Sequence, residues 1–279
     1  MSILFKKLIP KLYGLYFNLL VWFLPKKVAE QAFLVFSTVR KGRVSPKQKE
    51  YLDQFKHEVL VVENHKIQVY NWPGNNKTIL LVHGWESNAW RWHKLIDKLQ
   101  KANYNIIAFD APAHGYSTGK ILHVPLYAQT LQPIITKYQP NIVIGHSMGG
   151  MTLLYNEQKH TNTNIDKIVT IGSPSELHEI LTHYKNLLGL NKKVIQTLET
   201  FICNKFGFSP KEFSSSKFVK NNDKKGLLFH DKLDTIAPYH ASVDVHKNWK
   251  GSELVSTEGF GHSMHQDEVN EKIITFLKH

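Results

Sequence analysis

The apolar residues of this chain fall into short runs whose spacing switches repeatedly between two periods. Val59-Leu60-Val61-Val62 and Lys66-Ile67-Gln68-Val69-Tyr70 are strand-like and separated only by Glu63-Asn64-His65, so the pattern predicts a hairpin. Thr78-Ile79-Leu80-Leu81-Val82 is apolar after its first residue, as expected of a strand covered on both faces. Alternation follows: a helix over 89–101, a strand over 105–109, a helix over 126–138, a strand over 141–144, a helix over 151–159 and a strand over 167–171. Strands over 226–229 and 253–256 and a last helix over 266–277 complete the series. Eight strands led by a hairpin and then separated by helices predict an α/β fold. Its sheet should be mostly parallel, with an antiparallel edge and helices on both faces.

Two stretches break the rhythm. Between the strand ending near Ser173 and the next, starting near Gly226, the chain is far longer than the dozen or so residues that a crossover requires. It carries two helical patterns, 176–188 and 192–206. Open α/β sheets bind ligands at the carboxyl ends of their strands, so residues 175–225 are expected to form a helical cap, with 56–174 and 226–279 as the core. Leu177, Leu181, Tyr184, Leu188, Ile202 and Phe206 suit the lining of such a cap, and equally its own hydrophobic seam. The other departure is the helical segment 1–55. Lys6, Lys7 and Lys11 precede an apolar run from Leu12 to Leu24 that closes on Pro25-Lys26-Lys27. The start resembles a signal peptide, but no small-x-small site follows, and the run is short of the roughly 20 residues that span a bilayer. Two readings stay open for residues 2–24: peripheral membrane contact as an interfacial helix aided by lysines and Trp22, or packing on the protein's own surface or substrate mouth.

Composition narrows the classes. With 279 residues, 42% hydrophobic and 21% charged, the chain can bury one ordinary core and an inserted subdomain. The net charge of +12 comes from scattered lysines, with no arginine stripe interleaved with aromatics, so no nucleic-acid partner is expected. One cysteine, Cys203, excludes an internal disulfide and any multi-cysteine metal site. It fits a reducing, cytoplasmic setting, as a small apolar side chain on a helix. No metal-ligand spacing, phosphate-binding loop or dinucleotide fingerprint is present, so no cofactor is expected.

The chemistry concentrates at Gly145-His146-Ser147-Met148-Gly149, set between a strand and a helix. A serine on such a turn occupies cramped backbone, and small residues two positions to either side let strand and helix pass closely. Ser147 is inert without a base to take its proton and a third group to orient that base. Glu258-Gly259-Phe260-Gly261-His262 supplies the imidazole, His262, after the last strand. His230-Asp231-Lys232-Leu233-Asp234 supplies two candidate acids. The tetrahedral intermediate of acyl transfer also needs backbone donors. The N–H of Trp85, in Val82-His83-Gly84-Trp85, and that of Met148 are the candidates for this oxyanion hole.

These residues make the chain similar, from about Lys56 to the C-terminus, to the α/β-hydrolase superfamily, and in particular to its capped, single-domain bacterial serine hydrolases of esterase type. The resemblance rests on four ordered places: Val82-His83-Gly84-Trp85; Asp110-Ala111-Pro112-Ala113-His114-Gly115-Tyr116-Ser117; the elbow at Ser147; and the pairing of Asp231-x-x-Asp234-x-x-x-Pro238 with Gly259-x-Gly261-His262. Ala113 departs from the glycine usual in the second motif. The resemblance implies Ser147, His262 and Asp234 as a catalytic triad, Asp234 by its position four before Pro238, with Asp231 as the alternative acid. It implies loop-shaping roles for His83 and His114. His146 is expected to pack or hydrogen-bond rather than accept protons.

The reaction expected is hydrolysis of a small carboxylic ester or thioester through an acyl-enzyme, with Trp85, Leu181 and Tyr184 as candidate substrate contacts. Serine at the elbow separates the chain from haloalkane dehalogenases, which use aspartate there. Gly-His-Ser-Met-Gly differs from the Gly-Gly-Ser-Trp-Gly of the prolyl aminopeptidase branch. An acyltransferase or thioesterase with the same triad, or a non-catalytic, membrane-associated binding protein on this scaffold, are the alternatives.

Overall fold

A computed structural model describes residues 3–278. Its strands are β1 (Lys56–Val62), β2 (His65–Trp72), β3 (Asn76–Val82), β4 (Tyr104–Phe109), β5 (Ile142–His146), β6 (Lys167–Ile171), β7 (Lys225–Asp231) and β8 (Ser252–Thr257). The helices in chain order are α1 (Ile3–Leu20), α2 (Pro25–Ser37), α3 (Pro46–Leu52), α4 (His93–Lys101), α5 (Val124–Tyr138), α6 (Met148–His160), α7 (Leu177–Leu188), α8 (Lys192–Phe206), α9 (Ser215–Phe218), α10 (His240–Asn248) and α11 (Asp267–Lys278). They divide into two compact units: residues 39–175 with 215–278, and residues 3–38 with 176–214.

The larger unit holds one sheet in the order β1-β2-β4-β3-β5-β6-β7-β8. β1 and β2 pair antiparallel, as do β2 and β4, and every later pairing is parallel. The eight expected strands and the antiparallel edge are all present. Alternation along each strand feeds two cores. Ile79 and Leu81 of β3 join Ile142 and Ile144 of β5 on one face, against Leu95 and Leu99 of α4 and Ile273 and Leu277 of α11. Leu80 and Val82 join Val143 on the other, against Leu131 and Ile135 of α5 and Leu153 and Leu154 of α6. Positions 79–82 of β3 and 142–144 of β5 are therefore all apolar, which is why their sequence shows no alternation. The buried Lys167 ammonium donates to the Phe276 and Leu277 carbonyls, satisfying the last turn of α11.

The smaller unit has its own core. Phe17 of α1, Val21 just after it, Val28, Ala32 and Phe33 of α2, Leu181, Tyr184 and Leu188 of α7, and Val194, Leu198 and Ile202 of α8 are buried together. The division differs from the expectation of separate pieces at 1–55 and 175–225. Residues 3–38 and 176–214 bury each other's apolar faces, whereas 39–55 and 215–225 go with the sheet. The helix expected over 2–24 ends at Leu20, and Pro25 opens a second helix at a position that suits its fixed φ; Ser2 lies outside the described residues. No described helix is long and apolar enough to cross a membrane.

Candidate active site

The elbow is built by close approach. β5 lies beside β3 with Gly145 opposite Val82, so the turns that follow the two strands emerge side by side. A β-carbon on Gly149 would stand 2.3 Å from the Val82 carbonyl oxygen, and one on Gly145 would stand 2.6 Å from the Gly150 nitrogen. Only residues without a side chain fit there. Between them Ser147 adopts φ 52°, an uncommon conformation for a residue with a side chain, directly before the first turn of α6. The hydroxyl is thereby lifted to the partly exposed end of the sheet, next to a helix N-terminus.

Three side chains that are distant in sequence meet at this hydroxyl. Ser147 Oγ donates to His262 Nε2 at 3.0 Å, and His262 Nδ1 donates to Asp234 Oδ2 at 2.7 Å. The imidazole is 18% exposed and the Asp234 side chain is fully buried. Burial pushes the Asp234 carboxyl up, but it is outweighed by hydrogen bonds from His230, His262 and the backbone N–H groups of Ile236 and Ala237. These hold it below the usual carboxylate range. The result is a continuous line of hydrogen bonds from hydroxyl through imidazole to a carboxyl held toward its charged form.

Asp231, the other candidate, sits elsewhere. Its buried carboxylate accepts from the Thr257 hydroxyl at 2.9 Å and from the N–H groups of Leu233, Phe260 and Gly259 at 2.9, 2.7 and 3.3 Å. Two of these donors belong to the loop that carries His262. The same loop is held from two further sides: His146 Nε2 donates to the His262 carbonyl at 3.0 Å, and the Arg91 guanidinium donates to the Ser263 carbonyl at 2.8 Å. Burial, with the charges of Arg91 and His262 next, drives His146 well below its ordinary pKa, so it stays a neutral hydrogen-bond donor. Arg91 is buried without a carboxylate partner among the described residues, and burial lowers its pKa to about 9.

The adjacent loop is fixed through His83. Its Nδ1 donates to the Gly84 carbonyl at 2.7 Å and its Nε2 accepts from Ala111 N–H at 2.9 Å. Holding the Gly84 carbonyl also fixes the opposite side of that peptide, the N–H of Trp85. A β-carbon on Gly84 would fall 3.0 Å from the Ser147 β-carbon, so this turn lies directly against the hydroxyl-bearing residue. His114 holds the next residue, accepting from Glu86 N–H at 3.0 Å. Burial lowers the pKa of His83 to about 4 and that of His114 to about 3. Ala113, where the resemblance led to glycine, takes φ 69°, the conformation that makes glycine usual.

Leu181 and Tyr184 lie in the core of the smaller unit, where the Tyr184 hydroxyl donates to the Ala32 carbonyl at 2.9 Å. Seam packing accounts for both without a ligand. Cys203 is exposed on α8. The sequence reading missed His230, four residues before Asp234. Its Nε2 lies 3.0 Å from the Ala237 carbonyl and 3.5 Å from Asp234 Oδ2, and its Nδ1 lies 2.6 Å from the Ser242 hydroxyl. The signal available was a histidine one turn from an acid in a motif otherwise rich in loop residues. Among the described residues, no cluster of His, Cys, Asp or Glu is placed to hold a metal ion.

Comparison with known proteins agrees with this fold. Residues 77–198 match the family described as alpha/beta hydrolase fold. An uncharacterised abhydrolase domain-containing protein of Dictyostelium discoideum is 23% identical over 239 residues, covering 72% of this chain and 26% of its own length. Polyneuridine aldehyde esterase of Rauvolfia serpentina is 31% identical over 83 residues, covering 28% of this chain and 31% of its own length. The chain thus spans under a third of the length of these two relatives. Among solved structures, Est1E from Butyrivibrio proteoclasticus, with ferulic acid bound, superposes with a TM-score of 0.65 at 16% identity, over 79% of this chain and 98% of that one. By its sheet order, its elbow and these matches, the chain has the α/β-hydrolase fold.

Proposed function

We propose that the protein is a serine hydrolase that cleaves small carboxylic esters or thioesters through an acyl-enzyme. The observation that carries this reading is the unbroken relay from Ser147 Oγ through both nitrogens of His262 to Asp234, at 3.0 and 2.7 Å. His262 Nε2 takes the hydroxyl proton as Ser147 Oγ bonds to the carbonyl carbon. The oxygen of the tetrahedral intermediate then carries the negative charge, and the N–H groups of Trp85 and Met148 receive it. Neither N–H has a protein acceptor among the described residues, so both are available. Collapse breaks the bond to the leaving alkoxide or thiolate, which departs with the proton from His262. Water, deprotonated by the same nitrogen, attacks the acyl carbon, and Ser147 leaves with its proton restored while the acid is released. Asp234 keeps Nδ1 protonated throughout and stabilises the imidazolium.

The esterase relative supports an ester carbonyl as the target. The test is labelling by a fluorophosphonate probe, followed by hydrolysis of p-nitrophenyl esters of increasing acyl length. Wild type is expected to label and turn over, and Ser147→Ala to do neither while keeping its thermal transition. A well-folded wild type that resists the probe and hydrolyses none of the esters would leave a binding protein as the better reading.

A further inference from the structure

The smaller unit presents a second apolar surface, unrelated to the core it encloses. α1 carries two stripes on opposite sides. Gly14, Phe17 and Val21, spaced three and four apart, are buried. Leu8, Leu12, Leu15 and Leu19, spaced four, three and four apart, are half exposed or more. The outer stripe runs on into Trp22 and Phe23, 69% and 81% exposed. Soluble surfaces scatter such side chains singly, and a continuous patch marks a contact.

The helix is locked with this stripe outward. A β-carbon on Gly14 would stand 1.9 Å from the Leu188 carbonyl oxygen, so α1 meets the end of α7 at backbone contact. Asn18 clamps the next turn: its amide donates to the Gly189 carbonyl at 2.9 Å and its carbonyl accepts from Asn191 N–H at 2.8 Å. Lys11 donates to the Asn186 carbonyl at 3.1 Å. Rotation that would hide the outer leucines breaks all of these.

We propose that this face seats the protein on an anionic lipid bilayer, with α1 lying in the plane of the interface. Charge selects the occupant. Five lysines (Lys6, Lys7, Lys11, Lys26 and Lys27) flank the stripe in sequence, and no acidic residue occurs before Glu30. A second copy docking through the same face would bring two such lysine sets together, whereas anionic headgroups pair with them. The most exposed side chains are a tryptophan and a phenylalanine at the end of the helix, residue types suited to the headgroup boundary. No described helix, α1 included, is long and apolar enough to cross the bilayer.

The experiment is co-pelleting of the purified full chain with sucrose-loaded vesicles of phosphatidylcholine alone or with 30 mol% phosphatidylglycerol, at low and high salt. Wild type is expected to pellet with the anionic vesicles, less so at high salt. Leu12→Gln/Leu15→Gln/Leu19→Gln should weaken partitioning on the order of 100-fold or more. Lys26→Gln/Lys27→Gln, at two exposed positions, should cost about fivefold per lysine on anionic vesicles and nothing on neutral ones. Thermal transitions of both variants serve as the folding control. The proposal is overturned if wild type stays in the supernatant with both compositions, or if it binds them equally. It is also overturned if wild type shows a concentration-dependent dimer in sedimentation that the triple variant abolishes, which would assign the face to a second copy.

Discussion

Asp231 ends β7 and Asp234 follows in the next turn, and their hydrogen bonds divide the labour between them. Asp234 faces the imidazole and Asp231 faces the backbone that carries it. Asp234→Asn is expected to lower kcat by about 10⁴-fold, because an amide can donate to Nδ1 and select the wrong tautomer. Asp231→Asn keeps the shape but turns part of an all-acceptor group into a donor among donors. It should lower kcat/KM by roughly 10- to 100-fold, carried mainly by kcat, with a lowered thermal transition. Steady-state kinetics on one p-nitrophenyl ester separates the two, and an Asp231→Asn enzyme with wild-type kcat would refute the positioning role. The candidate site residues were legible because glycine and proline punctuate their motifs: Gly145 and Gly149 are written by backbone contacts, and Pro238 anchors the count back to Asp234. His230 was not legible, since its partner Ser242 lies on α10, which no periodicity announced.

Elements follow the same rule at larger size. Strand β5 and helix α6 cross against β3 at a separation that Gly149 sets, 2.3 Å from a carbonyl oxygen for any added methyl. Gly149→Ala should therefore shift backbone rather than a side chain and cost about 2–4 kcal/mol, read as a lowered urea midpoint. An unchanged midpoint would mean that the elbow is far more pliable than its contacts imply. Helix α3 could have been foreseen: Ser45 and Gln48 form a reciprocal cap, with Pro46 at the first helical position. The partnership of α1 and α2 with α7 and α8 could not. Phe17 and Leu190 share a core across most of the chain, and no local pattern encodes which distant face a stripe will meet.

For the whole molecule, buried neutral imidazoles set the response to acid. The unfolded chain protonates histidine near pH 6.5, whereas folding holds His83 near 4, His114 near 3 and His146 well below its ordinary value. Below pH 6.5 the unfolded state binds more protons, so the stability these residues contribute is complete above about 6.5 and drains away as pH falls toward 4. His83 alone accounts for up to about 3 kcal/mol at the lower end. Asp110, whose carboxyl is raised by burial, works in the opposite direction and offsets part of the loss at the acid end. Urea unfolding at pH 7.5, 6.0 and 5.0 should show the midpoint falling before most carboxylates titrate, and a flat profile would show that these sites relax to admit protons.

The composition of the smaller unit has a temporal corollary. Its first segment ends at residue 38 and its second begins at 176, so during translation the opening helices wait for their partners while the intervening chain is made. At about 5–20 residues per second that interval lasts roughly 7 to 30 seconds. Throughout it, both flanks of the leading helix are bare, the one destined for the interior as well as the one left outside. Closure of the smaller unit therefore has to follow synthesis of the intervening chain, and cannot accompany that of its first two helices.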